Sequence, residues 1–103
     1  MTSSEEARFG VGPVLQATPF ARALVDAIEA ENDHVTVRDE GAYLRVQAPR
    51  VCRLSRAAAE TAIGSTVQFP GELEVVMSSF TGLMRLTELG AVWWLAGDPP
   101  PES

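Results

Sequence analysis

Few side chains in this sequence could do chemistry. One histidine, His34, and one cysteine, Cys52, occur in 103 residues, and no motif brings them together. Nucleophilic catalysis needs a nucleophile, a base within hydrogen-bond reach and a third group to orient the base. His34 follows Glu31, Asn32 and Asp33 at the start of an alternating run, the setting of a solvated turn histidine. Cys52, among Val51 and Leu54 in a predicted strand, reads as a buried structural thiol. A single cysteine forms no internal disulfide and no metal site by itself. Glu29, Glu31 and Asp33 span a predicted helix end and are expected to face solvent, and Glu72 and Glu74 read as surface charges rather than paired acids. Zinc-type ligand clusters, a calcium loop, a Walker loop, a dinucleotide fingerprint and haem or iron–sulfur cysteine spacing are all missing from the sequence. The reading is a non-catalytic chain with no cofactor and no metal.

Size and charge narrow the partners. A chain of 103 residues forms one domain with a single core and needs no staples. The net charge of −6 argues against nucleic acid, because phosphate binding needs clustered positive charge. All eight basic residues are arginine, and five of them, Arg38, Arg45, Arg50, Arg53 and Arg56, fall between residues 38 and 56. Only Asp39 and Glu40 oppose them there. Arginine suits planar, multidentate contacts at a protein interface; a solvated sheet face is the alternative. No apolar run reaches the roughly 18–20 residues of a membrane span, and Met1 to Arg8 lacks a secretory pattern, so the expected compartment is the cytoplasm.

The elements follow from periodicity and punctuation. Val11 to Gln16 reads as a strand that Pro13 confines to an edge or a kink. Thr18 and Pro19 open a helix with Phe20, Leu24, Ala27 and Ile28 on one face, ending near Asn32. His34 to Asp39 and Ala42 to Ala48 alternate around the turn Asp39-Glu40-Gly41 and predict a hairpin with one buried face. Val51 to Leu54 is a further strand. Ser55 caps a second helix, Arg56 to Ile63, that buries Ala59, Ala62 and Ile63 and is closed by Gly64. Gly71 to Val76 reads as one helical turn, and Ser79 to Leu86 is expected to pair with Ala91 to Leu95. The prediction is an α+β single domain of two βαββ-like halves, with a mostly antiparallel sheet and two to three helices. Residues 1–9 are read as a flexible N-terminal arm, 10–96 as the folded domain and 97–103 as a disordered proline-rich tail. Trp93 and Trp94 must point to opposite faces of their strand. One belongs to the core; the other is either covered by another segment or exposed as a docking patch with Met77, Phe80 or Met84.

These residues resemble the coupling, or effector, proteins of bacterial soluble diiron monooxygenases, the MmoB/DmpM family. The resemblance covers about residues 10–95. It is carried by Val11-Gly12-Pro13-Val14, by the hairpin Asp39-Glu40-Gly41-Ala42-Tyr43-Leu44-Arg45-Val46, by Glu72-Leu73-Glu74 with the later Ser79-Phe80-Thr81-Gly82, and by the hairpin ending Trp93-Trp94-Leu95. The short arms are more similar to the toluene, phenol or alkene branch than to the methane branch. The resemblance implies a cofactor-free protein that binds the hydroxylase above its diiron centre. It would tune substrate access and O2 activation there, competing or cooperating with the reductase or ferredoxin. It also implies that Val11, Gly12, Pro13, Tyr43, Arg45, Met77, Ser78, Ser79, Phe80 and Gly82 touch the hydroxylase. For Gly12 and Gly82, a kink or close backbone approach is the alternative. A small metabolite-sensing α+β regulatory domain is the competing function; it would need a pocket with convergent polar groups.

Overall fold

The chain passes back and forth between two antiparallel sheets, and those crossings decide which surfaces exist. The computed structural model describes residues 10–102; the expected N-terminal arm, residues 1–9, and Ser103 lie outside them. The order is β1 (Gly12–Gln16), α1 (Pro19–Glu31), β2 (Thr36–Asp39), β3 (Tyr43–Gln47), β4 (Val51–Ser55), α2 (Arg56–Ile63), α3 (Gly71–Val76), β5 (Met77–Thr81), β6 (Leu83–Thr87) and β7 (Gly90–Trp94). One sheet has the strand order β2-β3-β1-β5, the other β4-β7-β6. The fold is α+β, as expected. The expected echo between halves is topological: β1-α1-β2-β3 gives the order β2-β3-β1, and β4-α2 with β6 and β7 gives β6-β7-β4. β5 breaks the symmetry by leaving its own half to pair with β1.

The capping chemistry behaves as the sequence predicts. Thr18 Oγ1 accepts from the Ala21 amide at 3.0 Å, with Pro19 in the first turn. Ser55 Oγ accepts from the Ala58 amide at 3.0 Å, and Gly64 closes α2 at φ 86° with its N–H on Glu60 O. α1 buries Ala21, Leu24, Val25, Ala27 and Ile28 and packs on α2 and β4. The core between these helices and the two sheets includes Leu15, Leu24, Ile28, Val46, Leu54, Leu73 and Trp93. Among the described residues no helix is long and apolar enough to cross a membrane.

Two local expectations are overturned, and two are refined. Ser79 to Leu86 is not one strand: Gly82 breaks it, sending β5 to the first sheet and β6 to the second. Of the two readings Pro13 allowed, the edge fails and the kink fits: β1 pairs with both β3 and β5, and its register with β5 slips between Val14 and Leu15. Continued to Pro13, the register sets it opposite Val46, in a hydrogen-bonding row between the Val11–Ala48 bridge and the Leu15–Leu44 pair, so its missing N–H costs that row one ladder bond. Glu31 is exposed, as expected, and also makes a contact. Its Oε1 accepts from the Ser55 amide at 2.7 Å. Beside it, the Asn32 side chain donates to Ile28 O and Arg53 O and accepts from the Arg53 amide, at 2.7–2.9 Å. Together they clip the end of α1 to β4. Ala62 is exposed rather than buried, because only Ala59 of α2 turns fully inward.

Cys52 faces the core opposite Trp93. Burial, and secondarily the Glu31 carboxylate, push its thiol from 9.0 up to about 12. The folded thiol therefore keeps its proton where the unfolded chain has lost it. Stability is unaffected below the unfolded value and falls as pH rises from about 9 toward 12, by about 1.4 kcal/mol per unit. Denaturant unfolding at stepped alkaline pH should show this slope in the native chain and its loss in Cys52→Ala.

Candidate functional site

β1 lies between the two strands that hold the other candidate residues. In register, Gly12 faces Thr81, Pro13 faces Phe80, Val14 faces Ser79 and Leu15 faces Met77 on one side. On the other side Val14 faces Arg45 and Gln16 faces Tyr43. Segments remote in sequence are thus neighbours in one sheet. Alternation then sorts them. Val11, Pro13, Leu15, Leu44 and Val46 face the core side. Val14, Gln16, Tyr43, Arg45 and Ser79 form the opposite face, with Arg38 in the same cross-strand row as Arg45.

Exposure divides the candidates further. Val11, Gly12 and Pro13 are buried, so they shape the sheet rather than present side chains. Tyr43 is 42% and Phe80 39% exposed, and Ser78 and Ser79 are exposed. Met77 and Arg45 are half-buried; the Arg45 Nε lies 3.6 Å from Glu40. The register slips between Val14 and Leu15, and Ser78 Oγ donates to Val14 O at 3.2 Å across the slip. Such an irregularity locally kinks a strand, and it lies beside the exposed Ser78 and Ser79.

Both candidate glycines answer to close approach. A Cβ on Gly12 (φ 151°) would lie 2.2 Å from Val46 O, and one on Gly82 (φ 90°) would lie 2.5 Å from Trp94 O and 2.7 Å from Val11 Cγ1. Sequence reasoning missed the polar pair that holds this corner. Gln47, a polar position in the alternation of Ala42 to Ala48, is 1% exposed, and Thr81 is buried with it. Gln47 Nε2 donates to Thr81 Oγ1 at 3.3 Å and to Gly10 O at 3.4 Å. The Thr81 hydroxyl has Gly10 O at 3.3 Å and Gly12 O at 3.5 Å as acceptors. No local pattern announces the pair, since each residue has an ordinary polar place in its own alternation.

The remaining chemistry is sparse. His34 sits at φ 58° in the turn before β2 and is exposed. Among the described residues no group of three or more His, Cys, Asp or Glu side chains could hold a metal ion. A groove of about 300 Å³ between α1 and the β2–β3 hairpin is lined by Arg22, Val25, Asp26, Val37, Asp39 and Leu44. Two of its charges face each other, Arg22 and Asp39 at 3.6 Å.

The sequence profile of the MmoB/DmpM family matches residues 10–94. The chain belongs to this family. A similar protein is the effector subunit of the alkene monooxygenase system of Xanthobacter autotrophicus (strain ATCC BAA-1158 / Py2). It is 38% identical over 86 residues, which is 82% of this chain and 84% of that one. Chains from two solved structures of a phenol hydroxylase–regulatory protein complex share the fold, with TM-scores of 0.73 and 0.70 at 20% and 21% identity. They are covered over 95% and 98% of their length by 82% of this chain. For this member of the MmoB/DmpM family, stability should separate framework from surface. Gly82→Ala should cost about 3 kcal/mol or more and Thr81→Val about 1–2 kcal/mol, whereas Ser79→Ala and Phe80→Ala should stay within about 1 kcal/mol, all read by chemical denaturation.

Proposed function

We propose that this chain is the regulatory, non-catalytic component of a multicomponent diiron monooxygenase. It binds the hydroxylase component and tunes substrate access, O2 activation and the coupling of electron transfer to hydroxylation or epoxidation, acting in the cytoplasm, where an unpaired thiol stays reduced. Family membership, with an effector-subunit relative aligned over most of both chains, is the observation that carries this reading.

The docking face follows from exposure and chemistry. We assign it to the outer face of the first sheet and its β5 margin: Tyr43, Arg45, Ser78, Ser79 and Phe80, with Met77 beneath. Aromatic residues and arginine are enriched among residues that dominate binding energy, and the planar Arg45 guanidinium, on the same face as the exposed Tyr43 phenol, suits a mixed-charge protein surface; Phe80, paired with Pro13, extends the site around the β5 edge. Val11, Gly12, Pro13 and Gly82 act indirectly by fixing where β5 sits against β1. Binding of this kind changes the partner by preferring one of its conformations and shifting the population toward it. The metabolite-sensing alternative gains little, because the α1–hairpin groove pairs Arg22 with Asp39 at its rim.

Titrating the chain into a diiron hydroxylase with its reductase should raise turnover until about one equivalent per active site is present. Tyr43→Ala and Phe80→Ala should each raise the half-maximal concentration about tenfold without lowering the unfolding midpoint by more than a few degrees. Unchanged turnover on addition of the native chain would refute the assignment.

A further inference from the structure

The second sheet also has two faces, and the chain's own tail runs across part of the outer one, leaving Leu83 at the β6 edge 46% exposed. Register places Cys52, Leu54, Met84, Leu86, Ala91 and Trp93 toward the core, and Val51, Arg53, Leu83, Arg85, Val92 and Trp94 away from it. An outward apolar row should be exposed, yet Val92 is buried and Trp94 is only 7% exposed. The Arg85 guanidinium lies over the Trp94 ring, 5.6 Å from its centroid, and donates to Pro101 O at 3.1 Å. Arg53 Nη1 donates to Glu102 O at 2.9 Å. Arg50 Nη2 meets Asp98 Oδ2 at 2.7 Å. The three prolines make no ladder, as expected from their missing N–H; guanidinium donors to carbonyls take its place.

Two observations mark this strap as displaceable. Its charged contact is an exposed ion pair, the class that salt screens most and that adds least to stability. And the Trp94 indole N–H, like that of core-facing Trp93, is buried with no acceptor among the described residues, although a buried indole normally finds one; only the Trp94 ring lies on the face the strap crosses. The tail covers the ring without satisfying its polar edge. Arginine donors aimed at main-chain carbonyls beside an indole are the chemistry that recognises extended proline-containing peptide.

We propose that the outer face of β4-β7-β6 is a docking site for an extended, acidic, proline-containing segment of a protein partner, occupied in this structure by residues 98–102 as an internal stand-in. An incoming segment that also offers a carbonyl to the Trp94 N–H displaces the strap. The site is separate from the Tyr43–Phe80 face and does not rest on the hydroxylase reading.

The test uses the full chain carrying Asp98→Ala, Pro99→Gly, Pro100→Gly and Pro101→Gly, with a synthetic peptide of residues 96–103 as probe and amide and indole resonances as readout. The peptide should shift Val92, Arg85 and the Trp94 indole with half-saturation near about 0.1–1 mM. Raising salt from about 0.05 to about 0.5 M should weaken it several-fold. The native chain should bind it at least about tenfold more weakly, because its own tail competes at high effective concentration. A peptide with both acidic residues replaced by lysine should not bind. In the native chain alone, the same increase in salt should speed exchange of the Trp94 indole proton more than that of Trp93. That measurement stands even if the substituted chain fails to fold. No peptide binding to a folded substituted chain, shifts at Tyr43 and Ser79 instead, or a Trp94 proton indifferent to salt would each overturn the proposal. Concentration-dependent dimerisation of the substituted chain without peptide binding would make the face a self-association surface and would also overturn it.

Discussion

The molecule depends on one close approach: the passage of the chain from the first sheet to the second at Gly82. A left-handed backbone there lets the carbonyl of Trp94 and the side chain of Val11 approach into space that any Cβ would fill. Through that contact β5, the start of β1 and the end of β7 meet at one corner. The second crossing, from β3 to β4, is built the same way, with Arg50 at φ 64° and its carbonyl accepting from the Leu95 amide. Two left-handed residues thus join the sheets. Through these two turns, strands distant in sequence come to share one corner.

This frame explains how a chain with so little reactive chemistry can act on another protein. β5 is taken from its own half and laid beside β1, which sets Ser78, Ser79 and Phe80 at the margin of a face that already carries Tyr43 and Arg45. The pieces come from three parts of the sequence, but the ladder holds them within strand spacing of one another. If this face docks as proposed, a preorganised surface loses little conformational freedom in doing so, leaving more of its contact energy to discriminate between conformations of the partner. Driving a two-state partner from one extreme to the other takes about 5.5 kcal/mol of differential affinity, within reach of a few well-placed aromatic and arginine contacts.

Much of the local architecture was legible from the sequence. Thr18-Pro19 and Ser55…Gly64 mark helix ends by hydrogen-bonding chemistry that is nearly independent of context, and the hairpin around Gly41 declares itself by alternation. What was not legible is non-local. Ser79 to Leu86 reads as a continuous strand, because the break at Gly82 is imposed by Trp94 and Val11, far away in sequence. Pro13 reads as an edge or a kink, because the bond it forfeits could be located only once its neighbour was known. Gln47 looks solvated by type and position, yet it is buried against Thr81. At the candidate site, the kinship of Val11–Pro13 with Met77–Gly82 came from family resemblance, and the register supplies its physical form.

The buried thiol has a practical corollary. With its ionisation pushed up to about 12, Cys52 holds on the order of a thousandfold less thiolate at neutral pH than an exposed cysteine, and Trp93 covers it from across the ladder. Reagents that alkylate sulfur will pass it by unless the β4–β7 seam opens. Fluorophores or spin labels can therefore be attached through a second, engineered sulfhydryl on the surface without first deleting the native one, while the slow modification of Cys52 clocks how often that seam parts.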